Sequence, residues 1–264
     1  KKKVLVAGGG IAGMQAAITC AKRGHDVVLL EKSPALGGAL RCEENVPFKG
    51  RLKDYLDAQA KKVAELGVDV RLNTAATPEE AEKIAPDVII SALGASPVKI
   101  PLPGIDGSNV FSAEHIYVHP EDAGKNIVIL GAGLVGMELA VYLGMLGHKV
   151  SIIEMLDHVS HGGNFQHMKG LQAELDKYGV EISLSTKACA IDEKGVTAEK
   201  DGEELKFECD TVIYAVGQRP RTDETYALAA CAPEFYPIGD SIAPKNIMNA
   251  TSQAYKIANV IGTI

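Results

Sequence analysis

Two stretches of this chain share one hydrophobic pattern. Val4-Leu5-Val6 and Ile127-Val128-Ile129-Leu130 are continuous apolar runs rather than alternating ones, as expected of strands buried on both faces of a parallel sheet. Each run leads into a glycine cluster, then into a stretch dense in Ala, Met and Leu that suits a helix packed closely on a sheet. A second apolar run, Val27 to Leu30 or Val150 to Ile153, then ends on an acid, Glu31 or Glu154. Val4–Glu31 and Ile127–Glu154 align without a gap at an offset of 123 residues, with nine of 28 positions identical. The chain therefore repeats a strand–turn–helix–strand unit. Further strands are expected at Val88-Ile89-Ile90, Val212-Ile213 and Phe235 to Ile238, and a closing helix from about Asn246 to Ile261.

The glycine clusters carry the candidate chemistry. Gly8-Gly9-Gly10-Ile11-Ala12-Gly13 and Gly131-Ala132-Gly133-Leu134-Val135-Gly136 each sit between a strand and a helix, the context in which a GxGxxG run binds a dinucleotide. Gly8 and Gly131 permit the turn. Gly10 and Gly133 let a pyrophosphate approach the N–H groups at the helix start, and Gly13 and Gly136 let helix and strand pack closely. Glu31 and Glu154 fall where a carboxylate can accept hydrogen bonds from ribose hydroxyls. Two dinucleotides are expected. Met155 and Leu156 follow Glu154, so no cation greets a 2′-phosphate and NADH is favoured over NADPH at the second turn. Lys32 after Glu31 leaves the first turn open between FAD and NAD.

Composition narrows the partners. With 27 basic and 34 acidic residues the net charge is −7, which gives no electrostatic reason to bind nucleic acid or an anionic membrane. No apolar stretch is long enough for a membrane span. Cys20, Cys42, Cys189, Cys209 and Cys231 form no CxxC pair, so a zinc or iron–sulfur site is not expected and a reducing cytoplasm fits. His158, His161 and His167 read as a solvated loop rather than a metal site.

The early GxGxxG, Gly37-Gly38, the central GxGxxG and the late Ile238-Gly239-Asp240 together resemble the two-dinucleotide-binding-domain flavoproteins, the pyridine nucleotide-disulfide reductase-like superfamily. The resemblance implies an α/β fold of two Rossmann-like βαβ domains, the second inserted into the first. It places FAD at residues 1–104 with 218–264, and NADH at 105–217. It also implies that Asp240 bonds the ribityl chain of FAD and that the following helix, with Asn249, points its start at the flavin. Two segments, Ser91-Ala92-Leu93-Gly94 and Tyr214-Ala215-Val216-Gly217, are similar to the family's crossings between domains. Leu93 and Val216 replace the usual Thr, leaving backbone approach at Ala92, Gly94 and Gly217. Pro101 to Gly107 reads as a linker.

Cys42 has no partner cysteine after Gly37-Gly38, which disfavours a disulfide reductase. The segment Leu36-Gly37-Gly38-Ala39-Leu40-Arg41 instead is similar to the carboxy-terminal part of old-yellow-enzyme-like NADH:flavin oxidoreductases, the 2,4-dienoyl-CoA reductase, 2-enoate reductase and trimethylamine dehydrogenase group. That resemblance adds Gly38 and Arg41 to the FAD residues. The start at Lys1 without Met suggests a fragment, and the resemblance implies an upstream barrel bearing FMN and an iron–sulfur cluster. No catalytic side chain is expected, because hydride passes between cofactor rings. The alternatives are a structural module holding only ADP at the first turn, and a stand-alone NADH oxidase or thioredoxin-reductase-like enzyme.

Overall fold

The computed structural model describes residues 1–159 and 165–263. The chain forms two compact units, Lys1–Glu44 with Lys49–Ser96 and Gln218–Ile264, and Asn45–Phe48 with Pro97–Gly217. The first runs through β1 (Lys3–Ala7), α1 (Ile11–Lys22), β2 (Asp26–Leu30), α2 (Gly50–Glu65), β3 (Asp69–Arg71), α3 (Pro78–Ile84), β4 (Val88–Ser91) and β5 (Ala95–Pro97). The second holds β6 (Val110–Ser112), α4 (Ala113–Val118), β7 (Asn126–Leu130), α5 (Leu134–Met145), β8 (Lys149–Ile153) and α6 (Phe165–Lys177). It continues through β9 (Glu181–Ser183), β10 (Lys187–Asp192), β11 (Gly195–Lys200), β12 (Glu203–Glu208) and β13 (Thr211–Tyr214). The chain then returns to the first unit as β14 (Gln218–Pro220), α7 (Thr222–Ala227), β15 (Glu234–Pro237) and α8 (Ile247–Val260).

Each unit is built on a five-stranded parallel sheet, in the order β15-β4-β1-β2-β3 in the first and β6-β13-β7-β8-β9 in the second. The duplication extends beyond the motif to strand register. Val4 pairs with Val27 and Val88, and 123 residues on Ile127 pairs with Val150 and Thr211. Only the outermost strand differs in origin: β15 comes from the end of the chain, whereas β6 precedes its own repeat. The second unit also carries an antiparallel meander, β10-β11-β12.

The unbroken apolar runs are explained by cover on both faces. In the first unit Val4, Val6, Leu29 and Ile90 join one core with α1 and α8, while Leu5, Ala7, Leu30 and Ile89 join another with Ala81 and Ile84 of α3. Besides Met14 and Ile18 of α1, the two helices bring alanines to that first core, Ala12, Ala16 and Ala17 from one and Ala250, Ala254 and Ala258 from the other. Short side chains let the helices approach closely, and the four-residue spacing keeps the α8 alanines on one face.

Pro101–Gly107 is not a free linker, and the second unit starts at Pro97 rather than at residue 105. Ile105 is buried in a core with Val128, Leu130 and Val212. The Ile191 N–H donates to the Pro103 carbonyl at 2.8 Å. Gly104 sits at φ +83 with the Ile191 carbonyl oxygen where a Cβ would be. An apolar residue among turn formers outweighed the turn chemistry.

Ala254 is fully buried in the α1/α8 core, so Ala254→Leu should cost about 1–3 kcal/mol through overpacking. Met248, 67% exposed on the same helix, should tolerate Met248→Ala within about 0.5 kcal/mol. Urea denaturation of both variants against the parent chain measures the contrast.

Candidate functional site

The two glycine turns divide their glycines between two causes. Gly8 has φ +100, and a Cβ there would lie 2.5 Å from the Ala92 carbonyl oxygen. A Cβ on Gly13 would overlap the Gly8 carbonyl oxygen. The second copy repeats this: Gly131 has φ +107 with the Ala215 oxygen 2.6 Å from a Cβ, and a Cβ on Gly136 would overlap the Gly131 oxygen. These four glycines are required by the protein's own packing.

Gly10 and Gly133 are not. Their φ values, −70 and −74, suit any residue. A Cβ on Gly10 would meet nothing nearer than Gly38 Cα at 3.8 Å, and one on Gly133 meets nothing within 4 Å among the described residues. Both glycines face space at the start of α1 and α5, where no side chain caps the helix. The first-turn N–H groups of Ile11 and Ala12, and of Leu134 and Val135, have no intrahelical acceptor. A bare helix start behind a side-chain-free step fits a pyrophosphate.

Glu31 and Glu154 are both buried, 6% and 9% exposed. Glu31 Oε2 accepts the Gly9 N–H at 2.7 Å, and Oε1 accepts the Ser33 N–H at 2.8 Å and hydroxyl at 2.6 Å. Glu154 Oε2 accepts the Ala132 N–H at 2.8 Å, and Oε1 accepts the Leu156 N–H at 2.9 Å. Charge-assisted bonds of this kind make the burial tolerable. Two carboxylate oxygens have about four acceptor directions, so room remains for ribose hydroxyls. The glutamates thus also brace the glycine loop, a role the motif alone did not suggest. Lys32 is exposed beside Glu31, and Met155 and Leu156 offer exposed apolar surface beside Glu154.

Further elements of the first unit gather at its turn. Leu36 seats against Gly9, where a Cβ would fall 2.5 Å from Leu36 Cδ2; the second copy has Ala132 at that place. The Gly37 N–H donates to the Gly9 carbonyl at 2.9 Å, and Gly10 and Gly37 form a short parallel bridge. Gly38 is held close to Gly10, and Arg41 lies behind Gly37. At Gly94 (φ +75) and Gly217 (φ +112) a Cβ would meet nothing within 4 Å among the described residues.

Gly239 (φ +65) comes to α1 itself: a Cβ there would lie 3.2 Å from Ala12 Cβ. Its N–H donates to Gln253 Oε1 at 2.8 Å. Asp240 is thereby set beside the start of α1. Its Oδ1 accepts the Lys245 N–H at 3.2 Å, and burial raises its carboxyl pKa above the usual value despite that bond. The cap of α8 is Asn246, whose Oδ1 accepts the Asn249 N–H at 2.9 Å, so Asp240 is not a helix cap. Asp240, Lys245, Asn249 and Gln253 line a cleft of about 410 Å³ along α8.

His158 and His167 take separate carboxylate partners. His167 lies on α6 rather than in a loop, with Nε2 3.1 Å from Glu138 Oε1, a buried carboxylate that the sequence reading passed over. His158 pairs with Asp157, and His161 lies outside the described residues. Among the described residues no group of three His, Cys, Asp or Glu could hold a metal ion, and no helix is long and apolar enough to cross a membrane. Among the described residues no two cysteines form a disulfide. Burial pushes Cys20 up to about 12 and Cys209 to about 11, far from thiolate reactivity.

Comparison with known proteins agrees with this geometry. The family model of the pyridine nucleotide-disulphide oxidoreductases matches residues 2–254. The chain is 35% identical to a bilirubin reductase of Mediterraneibacter gnavus over 99% of its length and 41% of that protein's. It is 34% identical to an NADH oxidase of Thermoanaerobacter brockii, over 98% of this chain and 41% of that one. A solved 2-naphthoyl-CoA reductase superimposes with a TM-score of 0.92 at 28% identity, covering 98% of this chain and 39% of that one. The histamine dehydrogenase of Rhizobium sp. 4-9 gives 0.87 at 25%, covering 99% and 44%. The chain spans about two fifths of the curated relatives it matches. Two glutamate-braced glycine turns on duplicated parallel sheets, matched over nearly the whole chain, make this polypeptide a member of the pyridine nucleotide-disulphide oxidoreductase family, whose oxidoreductases work with FAD and NAD(H).

Proposed function

We propose that the chain is the NADH-oxidising module of a larger flavoenzyme, with FAD on the first unit and NADH on the second. The FAD residues are Gly8, Gly10, Ile11, Ala12, Gly13, Glu31 and Lys32 at the turn. They are joined by Gly38, Ala92, Gly94, Gly239, Asp240 and Asn249, and by Arg41, which acts through the Gly37-Gly38 step beside it. The NADH residues are Gly131, Gly133, Leu134, Val135, Gly136, Glu154 and Gly217. The observation that carries the assignment is the seating of Gly239 against Ala12, which sets Asp240 and the α8 cleft beside the first turn. That placement of Asp240 next to α1 supports a flavin, rather than ADP alone, at the first turn.

When bound, FAD supplies the two-electron acceptor for the hydride of NADH. The protein's part is position: α1 and α5 hold the two pyrophosphates, and Glu31 and Glu154 hold the two riboses. The Glu154 carboxylate, with Met155 and Leu156 beside it, repels a 2′-phosphate and favours NADH over NADPH. In the longer protein electrons would pass to an FMN-bearing barrel, where the final substrate is reduced. The two-fifths share of relatives named as reductases and an NADH oxidase supports that larger setting.

The purified chain, supplied with FAD and desalted, should keep flavin absorbance that NADH bleaches without oxygen. Retention of ADP but not FAD would overturn the flavin assignment.

Gly133→Ala should leave the urea midpoint unchanged while weakening NADH at least tenfold, about 1.4 kcal/mol, whereas Gly136→Ala should lower the midpoint itself. Glu154→Gln should weaken NADH about ten- to a hundredfold, the worth of a charged hydrogen bond of about 1.5–3 kcal/mol, and narrow the preference over NADPH. Titration calorimetry with both nucleotides reads this.

Asp240→Asn should separate stability from binding. The raised carboxyl pKa means that burial opposes the charged form, so at neutral pH the Asn variant without cofactor should be the more stable. The advantage should vanish as pH falls through the carboxylate range, where Asp240 is protonated in both states. The same variant should release FAD faster, because its ribityl acceptor is weakened.

A further inference from the structure

We infer that Arg41 is a positioning residue that latches the Leu36–Gly38 segment over the first nucleotide turn and so sets how fast the cofactor leaves. The inference rests on FAD occupying that turn. Leu36–Gly38 is the outer wall of the space in front of Gly10. Leu36 is buried, the Gly37 N–H bonds the Gly9 carbonyl, and a Cβ on Gly38 would fall 2.8 Å from Gly10 Cα. A nucleotide pyrophosphate at Gly10 would lie against this wall, so a firmly held segment favours its retention.

The wall is intrinsically loose. Gly37 and Gly38 have φ of 126 and 61, conformations that glycine alone adopts freely, and two adjacent glycines have the most conformational entropy to lose. Something outside must hold them. Arg41 Nε donates to the Leu36 carbonyl at 2.7 Å. Its stem lies flat on Gly37, where a Cβ would sit 2.6 Å from Nε and 2.9 Å from Cγ. From the other end Nη1 donates to Glu44 Oε2 at 2.7 Å and to Asp57 Oδ1 at 2.9 Å. Asp57 belongs to α2 and is bonded in turn by Lys53 at 2.6 Å. The guanidinium thus ties the wall to a long helix.

The charges favour a latch over a direct phosphate contact. Arg41 and Lys53 meet Glu44 and Asp57, two cations against two carboxylates, so no net positive charge remains to draw an anion. Pairs as exposed as these are each worth little. The guanidinium fork, however, serves three acceptors from one rigid group, which an ammonium cannot copy.

The test is the rate of FAD release from the full chain, followed by flavin fluorescence after dilution into excess ADP. Arg41→Lys should speed release about tenfold, and Asp57→Asn, which lies on α2 behind the wall, should speed it about threefold. The double variant should be no faster than Arg41→Lys alone, because both changes break one chain of contacts. The urea midpoint without cofactor and the NADH affinity should stay at parent values. An unchanged rate in Asp57→Asn, or multiplied effects in the double variant, would overturn the latch and make Arg41 a direct ligand. A fall in cofactor-free stability matching the change in rate would also overturn it. If the parent chain retains no FAD, the flavin reading of the first turn fails and the latch fails with it.

Discussion

A buried carboxylate bonded to the middle amide of a glycine turn is the contact on which both sites depend. Glu31 to Gly9 and Glu154 to Ala132 join the end of one strand to the loop that follows its neighbour, across 22 residues of sequence. Each bond spends a desolvated charge, which is tolerable only because further N–H groups, and in one case a hydroxyl, complete the acceptor shell. In return the loop is held where its outer step faces solvent and its helix starts bare. Remove the carboxylate and a buried amide loses its partner while the ribose loses its acceptor. In the proposed function, stability of the loop and recognition of the nucleotide are therefore the same interaction seen from two sides.

Two copies of one unit have diverged through what surrounds that contact. The first copy surrounds Glu31 with Ser33 and seats Leu36 on Gly9; the second has Leu156 and Ala132 at the corresponding places. A methyl group at position 9 would strike Leu36, so the middle one of the three consecutive glycines of the first turn is the consequence of a neighbour and not of the nucleotide. Within α1 and α5 the exchange runs the other way: Gln15 bonds its own helix at Thr19, while its counterpart Glu138 is buried and meets His167. The shared backbone register suits the half common to both proposed dinucleotides. The divergent side chains decide the rest.

The first site further depends on a residue more than two hundred positions away along the chain. Asp240 reaches the start of α1 because α8 packs on α1 through alanines, which bring the helix axes close enough for Gly239 to touch Ala12. The far end of α8 is held by Arg23, whose Nη1 donates at 2.9 Å to the carbonyls of Ala258 and Ile261. Those carbonyls are acceptors a helix end leaves unpaired, so a cation there satisfies them and opposes the dipole at once. Clamped at one end and close-packed along its length, α8 presents its Asn246-capped start in a defined place.

Sequence alone determined what is local and repeated. An offset of 123 residues, two unbroken apolar runs per copy and glycines at fixed spacing were enough for the parallel sheets, the two turns and the glutamates, because each rests on contacts within one βαβ unit. Even the late Gly-Asp could be read, though through family likeness and not from spacing. Tertiary structure decided what depends on distant neighbours. Pro101–Gly107 has the composition of a linker, yet Ile105 belongs to the second core. His167, which reads as part of a polar loop, lies on α6 beside Glu138. Only the fold separates Gly13, which has no room for a side chain, from Gly10, which has room and leaves it empty. In sequence both are one letter of a motif, because the Gly8 carbonyl oxygen meets the place of a Gly13 Cβ only once the turn has folded.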